Sequence, residues 1–244
     1  MLWLGLIYFS IQIYCDFSGY SNIARGVSNL FGFNLIINFK TPYFSRNIGE
    51  FWNRWHISLS TWFRDYIYIP LGGSRVTKFK AIRNIFVIFL VSGFWHGSNL
   101  TYLFWGLVHA IIYIPTFIIK SNKTFSTSVV ACDRFFPTLK EIFQMLLTYF
   151  CVLISWVFFR SDTITDAFNY LKIMFFEFNL PKSNLEGVGY LLIFILFDWF
   201  SRKDFNNLNF SKFIIVKWLI FLFFSYQILI HFGKVSNDFI YFQF

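Results

Sequence analysis

The chain has 244 residues, of which 57% are apolar and 25% are aromatic, and it carries a formal charge of +9. This composition lies outside the range of an ordinary soluble domain and is typical of a protein embedded in a membrane. The lysines and arginines stand in short groups at the ends of apolar runs and form no continuous basic face, so the charge predicts no nucleic-acid partner.

Apolar stretches along the chain predict membrane helices, since a crossing needs about 20 apolar residues. The first stretch has no basic start and no cleavage site, so we expect a short span and no removable signal. The piece 84–96 would rise only about 20 Å as a helix, which predicts a helix that stops at mid-depth beside a cavity. The stretches are 1–15, 84–119 with a break near 97–99, 142–159, 188–200 and 213–232.

These features predict an all-α membrane protein, a polytopic helical bundle with interfacial and broken or re-entrant helices. The basic loops 75–83, 120–140 and 202–212 are expected on the cytoplasmic side. The loop 160–187, with its near balance of acidic and basic residues, is expected on the outer side.

The segment from Asn47 to Arg64 differs from the apolar stretches. Asn47 followed by Glu50 has the spacing of a capping box, and aromatic residues recur after it at helical spacing. The pattern predicts one amphipathic helix from Asn47 to Arg64, lying on the membrane or dipping into a protein-lined cavity at its cytoplasmic side. Pro70 and the pair Gly72-Gly73 predict a turn before the first basic loop.

His96 is the strongest candidate for a catalytic residue, because an ionisable ring inside a membrane is a functional candidate by default. A neutral imidazole can take a proton from a hydroxyl as the hydroxyl attacks an electrophile. Gly97 is expected to leave space for a substrate and Trp95 to wall it. The alternative is a packed ring that bonds a neighbouring carbonyl.

His56 is the second catalytic candidate, as a donor that positions a carbonyl or stabilises a developing oxyanion. The alternative is an interfacial ring that reaches water. Trp55 and Arg54 beside it are candidates for the wall of a substrate tunnel, as is Asp16, whose alternative is a carboxylate cap at a helix end. His109 is expected to be a packing or supporting histidine. The sequence has no metal-ligand motif and no serine nucleophile elbow, so we expect no metal site.

Several blocks, in this order, resemble the membrane-bound O-acyltransferase family and its alginate O-acetylation branch. The teichoic-acid D-alanyl transfer proteins share the core Arg-Trp-His-Ile-Ser-Leu-Ser, but the continuation Tyr-Ile-Pro-Leu-Gly-Gly resembles the alginate branch more. The blocks are Asp16-Phe-Ser-Gly-Tyr-Ser21, the segment from Phe51 to Gly73, Phe94-Trp-His-Gly97, Trp105-Gly-Leu-Val-His109, Trp156-Val-Phe-Phe-Arg160 and Phe239-Ile-Tyr-Phe-Gln-Phe244.

The resemblance implies a multi-pass enzyme of the bacterial inner membrane. Such an enzyme moves an acyl group, here acetyl, from a cytoplasmic thioester such as acetyl-CoA or an acyl carrier through a tunnel to an extracytoplasmic polysaccharide hydroxyl. It implies no bound cofactor, and a periplasmic or extracellular acetyltransferase as a partner. The family's catalytic histidine falls on His96 and its second histidine on His56.

Members of the family are longer than this chain, and the blocks match their C-terminal half. Residues 1–244 are therefore expected to be the C-terminal part of such a domain, with N-terminal spans missing. The alternatives are a D-alanyl or other acyl transferase, a non-catalytic scaffold or permease, and an inactive fragment.

Overall fold

The computed structural model describes residues 2–121, 124–125, 128–177, 187–203 and 214–231. In these residues the regular secondary structure is helical throughout, which confirms the predicted all-α class. The matching tail 239–244 and most of the basic loop 202–212 lie outside the described residues. The helices are α1 (Leu2–Leu30), α2 (Ile48–Arg54), α3 (Ile57–Phe63), α4 (Lys78–His96), α5 (Leu100–Ile118), α6 (Leu139–Arg160), α7 (Ile164–Phe176), α8 (Val188–Ser201) and α9 (Ile214–His231).

Two helices of the described residues, α5 and α6, are long and apolar enough to cross a membrane. The helix α8 and the segment 218–230 of α9 are apolar but shorter. The first helix does not stop at Asp16, so the predicted carboxylate cap there is wrong. A half-buried carboxylate leaves the backbone ladder intact, and the chain has no proline before Pro42, so α1 continues to Leu30.

The predicted break near 97–99 is confirmed, since α4 ends at His96 and α5 begins at Leu100. However, α4 begins at Lys78, ahead of the apolar stretch, and has 19 residues. It therefore rises about 28 Å, so its length gives no reason to place its end at mid-depth.

Glycines bring α4 and α5 into backbone contact. A Cβ at Gly93 would clash with the carbonyl oxygen of Tyr102, and a Cβ at Gly106 would clash with that of Phe89. The side chain of Asn99 accepts a hydrogen bond from the backbone N–H of Thr101 and so caps α5. The two helices form a tight hairpin that fixes the height of His96.

The predicted single helix from Asn47 to Arg64 is wrong, because the structure divides it into α2 and α3. The cap is confirmed: the side chain of Asn47 accepts from the backbone N–H of Glu50 at 2.8 Å. The Glu50 carboxylate bonds Arg46 and Arg54 instead of closing the capping box. The first helix, α2, ends at Arg54. The second, α3, begins at Ile57, directly after His56, whose backbone is in the left-handed region.

Hydrogen bonds between loops show which helix ends lie at the same end of the bundle. Arg202 donates to the carbonyls of Val130 and Arg134, each at 3.2 Å. At the opposite end of α5 and α6, Asn99 Nδ2 donates to the carbonyl of Asp162 at 2.7 Å. The basic loop after α5 and the residue after α8 thus lie at one end of the bundle. The turn between α4 and α5, which follows His96, lies at the other end with the turn after α6.

Candidate active site

His96 is the last residue of α4 and is half-buried. Three indole or phenyl rings contact its imidazole ring, all steeply inclined to it. Trp95 lies 5.0 Å away at 81°, Trp105 lies 5.1 Å away at 87°, and Phe159 lies 5.1 Å away at 78°, measured between ring centroids and ring planes. The imidazole therefore lies in a pocket of rings contributed by α4, α5 and α6.

His56 lies at the junction between α2 and α3 with φ 44° and ψ 56°, in the left-handed region. A residue other than glycine is strained there by about 1–3 kcal/mol, so the surrounding structure must hold it. The carbonyl of Asn38 accepts from the N–H of Ile57 at 3.0 Å, and its Oδ1 accepts from the N–H of Ser58 at 2.9 Å. His56 is the residue before α3, but its side chain makes no capping hydrogen bond. Asn38, nineteen residues before α3, caps the helix instead.

The His56 side chain is 8% exposed and is enclosed by rings. Phe17 contacts it edge to face at 4.5 Å, and Ser58 Oγ lies 3.4 Å from its Nδ1. Burial lowers the pKa of His56 to about 4, because desolvation penalises the charged ring. The ring is therefore neutral at pH 7 and offers one N–H donor and one acceptor nitrogen.

Trp95 connects the two histidines. Its indole lies 6.2 Å from the His56 ring and 5.0 Å from the His96 ring, and 53% of the residue is exposed. The two candidate histidines, forty residues apart in sequence, meet at this accessible indole. Their catalytic roles, and that of Trp95 as a tunnel wall, stay predictions.

Gly97 does not leave the free space that the sequence predicts. A Cβ at this residue would lie 2.6 Å from Cε2 of Tyr102, so the tyrosine ring occupies that position. Gly97 instead lets the first turn of α5 close against the end of α4.

Arg54 belongs to a buried ion cluster. Its guanidinium donates to Glu50 at 2.8 Å, to the Ser128 carbonyl at 2.8 Å and to the Lys40 carbonyl at 3.1 Å. Arg46 pairs with the same carboxylate at 2.9 Å, and Glu50 is 1% exposed. The cluster joins α2 to the loop before α6, and it uses the donors with which Arg54 would bind a substrate.

Trp55 and Asp16, the two remaining candidates for a tunnel wall, differ in burial, since Trp55 is buried and Asp16 is half-buried. Trp55 is 3% exposed and stacks on Phe51 in the aromatic core. Asp16 lies in the middle of α1, next to Phe17, whose ring contacts His56. The wall role of Asp16 stays a prediction, and the burial of Trp55 leaves little of its surface for a substrate.

His109 is completely buried, and Trp105 and Trp52 contact its ring edge to face at 4.8 and 4.9 Å. Trp105 therefore separates His109 from His96. This position agrees with the packing role expected from the sequence. In the described part of the chain, no group of three His, Cys, Asp or Glu side chains is arranged to hold a metal ion.

Sequence reasoning missed Trp105, Phe159 and Asn38. Trp105 and Phe159 stand in blocks noted for their resemblance, but nothing in their spacing links them to His96. Asn38 caps a helix that begins nineteen residues later, and local sequence gives no signal for such a contact.

Comparison with known families shows the class of protein to which this helical fold belongs. The family model described as "MBOAT, membrane-bound O-acyltransferase family" matches residues 1–127, which include α1 to α5 and both histidines. The chain belongs to the membrane-bound O-acyltransferase family, and it is a membrane protein.

Curated relatives are similar over much of the chain. The "probable alginate O-acetylase AlgI" of Pseudomonas aeruginosa is 38% identical over 214 residues, which cover 84% of this chain and 39% of the relative. The "peptidoglycan O-acetyltransferase" of Helicobacter pylori is 40% identical over 172 residues, or 70% of this chain and 31% of the relative. The "teichoic acid D-alanyltransferase" of Bacillus subtilis is 40% identical over 126 residues, or 48% of this chain and 32% of the relative. The chain thus spans well under half the length of these relatives.

Proposed function

We propose that the chain is the histidine-bearing part of a membrane O-acetyltransferase that modifies an extracytoplasmic polysaccharide. The observation that carries the proposal is the meeting of His96 and His56 at the exposed indole of Trp95. The half-buried imidazole is accessible to a reactant, and three aromatic rings border it.

The proposed reaction joins an acceptor hydroxyl to the acyl group of a thioester. His96 takes the hydroxyl proton while the oxygen forms an ester bond to the acyl carbon. The carbon–sulfur bond then breaks, and the imidazolium returns the proton to the departing thiolate. His56, neutral at pH 7, donates its N–H to the acyl oxygen as negative charge develops there.

We propose acetyl-CoA or an acetylated carrier on the cytoplasmic side as the donor, in a multi-pass protein of the bacterial inner membrane. The turn after His96 lies at the same end of the bundle as the turn that begins the loop 160–187, which the charge pattern assigns to the outer side. This arrangement supports an acceptor that arrives from outside, either directly or through a periplasmic acetyltransferase partner.

Trp95 is proposed as a wall of the reaction site. Arg54 and Trp55 are proposed to hold the α2–α3 junction, because their side chains are buried among protein partners.

The test measures acetyl transfer in native membranes by the wild type and by a His96 variant. The protein, expressed from its own locus, is supplied with a thioester carrying isotopically labelled acetyl, and label in the polysaccharide fraction is measured. We expect transfer by the wild type and almost none by His96→Ala. Near-normal transfer by the variant would overturn the role of His96, and the absence of transfer by the wild type would favour a non-catalytic scaffold.

D-alanyl transfer to a cell-wall polymer is the second candidate, favoured by the similarity to the teichoic acid D-alanyltransferase over 126 residues. A parallel reaction with labelled D-alanyl thioester distinguishes the two. Labelled polymer from D-alanyl and none from acetyl would replace the acetyl proposal.

A further inference from the structure

The imidazole of His96 lies in a corner formed by two buried rings from other helices. Trp105 on α5 is 1% exposed and Phe159 on α6 is 2% exposed. The two rings contact each other at 5.4 Å with an interplanar angle of 67°, and each meets His96 at 5.1 Å. Three steeply inclined rings therefore contact one another pairwise.

Edge-to-face contacts are directional, because the positive edge of one ring faces the negative face of the other. A histidine at the last position of a helix has no following turn to restrict its side chain. Here the imidazole makes two such contacts with rings of other helices, Trp105 and Phe159. A reacting nitrogen must hold its direction closely, since a displacement of about 1 Å lowers a rate by roughly 10²-fold.

The position of Phe159 relative to His96 is itself fixed. Asn99, three residues after His96, donates from Nδ2 to the carbonyl of Asp162, three residues after Phe159, at 2.7 Å. The bond joins the turn that follows α4 to the turn that follows α6. The two helix ends are thus kept at a constant distance at the level of the imidazole.

We propose that Phe159 and Trp105 are positioning residues that orient the His96 imidazole for proton transfer. The inference rests on the proposed function, in which His96 is the general base. It adds that α6, which supplies none of the candidate catalytic histidines, determines how well His96 works.

Phe158 provides a matched control for Phe159. It is the adjacent residue on α6, it is 4% exposed, and it packs against Phe168 at 5.5 Å and Phe104 at 6.1 Å. Substitution by leucine removes the same ring from two equally buried sites, one of which contacts His96. A purely structural effect would be similar in the two variants.

The experiment measures kcat, KM for the acyl donor and the pH profile of transfer for Phe159→Leu, Phe158→Leu and His96→Ala, each normalised to folded protein in native membranes. We expect Phe159→Leu to lower kcat tenfold or more with an unchanged KM, and Phe158→Leu to stay within twofold of the wild type. Equal kcat values for the two leucine variants would overturn the positioning role.

A second pair of variants covers the case in which Phe159→Leu does not fold. Trp105→Phe shortens the ring beside His96, whereas Trp3→Phe makes the same change at a Trp whose ring contacts Phe150 and Phe175. We expect a fall in kcat for Trp105→Phe alone, and equal effects would contradict the proposal. Loss of transfer in His96→Ala with normal transfer in both positioning variants would refute only this inference, whereas normal transfer in His96→Ala would refute the proposed function itself.

Discussion

The end of α4 and the junction between α2 and α3 present their histidines to the same indole in different ways. At the end of α4 a regular helix carries His96, and side-chain rings orient it. At the junction the backbone is strained at His56, and the following helix is held by backbone N–H groups of Ile57 and Ser58 that donate to Asn38. The position of the first histidine therefore depends on packing between helices, and that of the second depends on the local backbone path.

The largest expected effect is the loss of acyl transfer when either histidine is replaced by alanine. His96→Ala should lower acyl transfer by about 10² to 10⁴, as the removal of a general base does. His56→Ala should lower it by about 10² to 10³, as the loss of an oxyanion donor does. Added imidazole should restore part of the activity of His96→Ala, because His96 is half-buried, and none of that of His56→Ala. Rescue of both variants by imidazole would contradict the difference in accessibility. A larger loss of transfer in His56→Ala than in His96→Ala would contradict the assigned roles.

The next largest effect is expected on stability, from the ion cluster of Arg46, Glu50 and Arg54. Glu50→Ala leaves Arg46 and Arg54 buried without their shared carboxylate, and breaking a buried pair destabilises by about 3–5 kcal/mol. The measurement is the thermal unfolding midpoint in detergent. Asp65→Ala is the control, since its pair with Arg64 is exposed, and it should leave the midpoint unchanged. Equal midpoints for the two variants would show that the cluster does not support α2.

The burial of His56 should make stability depend on pH. Its pKa of about 4 in the folded state lies below the value near 6.5 of an unfolded chain, so the unfolded state binds more protons between these values. Stability should therefore fall as the pH drops from 7 to 5, by about 2 kcal/mol more in the wild type than in His56→Asn. Asparagine also adopts the left-handed region, so this variant keeps the backbone path. Identical pH dependence in the two proteins would mean that the ring is accessible to protons in the folded state.

The smallest effect tests the cap at the junction. Asn38→Ala removes the acceptor for the N–H of Ser58 and should destabilise the protein by about 1 kcal/mol. It should also lower acyl transfer, because His56 loses its fixed position. Asn38→Ser, which keeps an oxygen acceptor, should recover part of both losses, and Asn29→Ala at an exposed position of α1 should change neither. Loss of stability without loss of transfer would show that the path at His56 does not depend on this cap.

The sequence predicted the parts of the fold that depend on local pattern. Apolar length indicated α5 and α6, the Asn47 cap marked the start of α2, and the short polar segment after Gly97 marked the break in the hairpin. It was wrong about the end of α1 at Asp16 and about one continuous helix through His56. At Asp16 the helix continues because a carboxylate does not interrupt the backbone hydrogen bonds and no proline occurs before Pro42. At His56 the decisive contact is not local, since Asn38 accepts the hydrogen bonds that cap the next helix.

The histidine pair itself could be chosen from sequence, because ionisable rings within apolar stretches are rare and point to function. The sequence could not show that Arg54 is occupied by Glu50 and Ser128, or that Tyr102 fills the space beside Gly97. Such contacts join residues far apart in the chain, and each depends on how whole helices pack.

The helical class, the resemblance to acyltransferases and the two candidate histidines follow from the sequence alone. That His56 and His96 meet at Trp95, and that rings from α5 and α6 contact His96, follows from how the helices pack. The physical reason is that periodicity and capping act within a few residues, whereas a reaction site forms where separate helices bring their ends together.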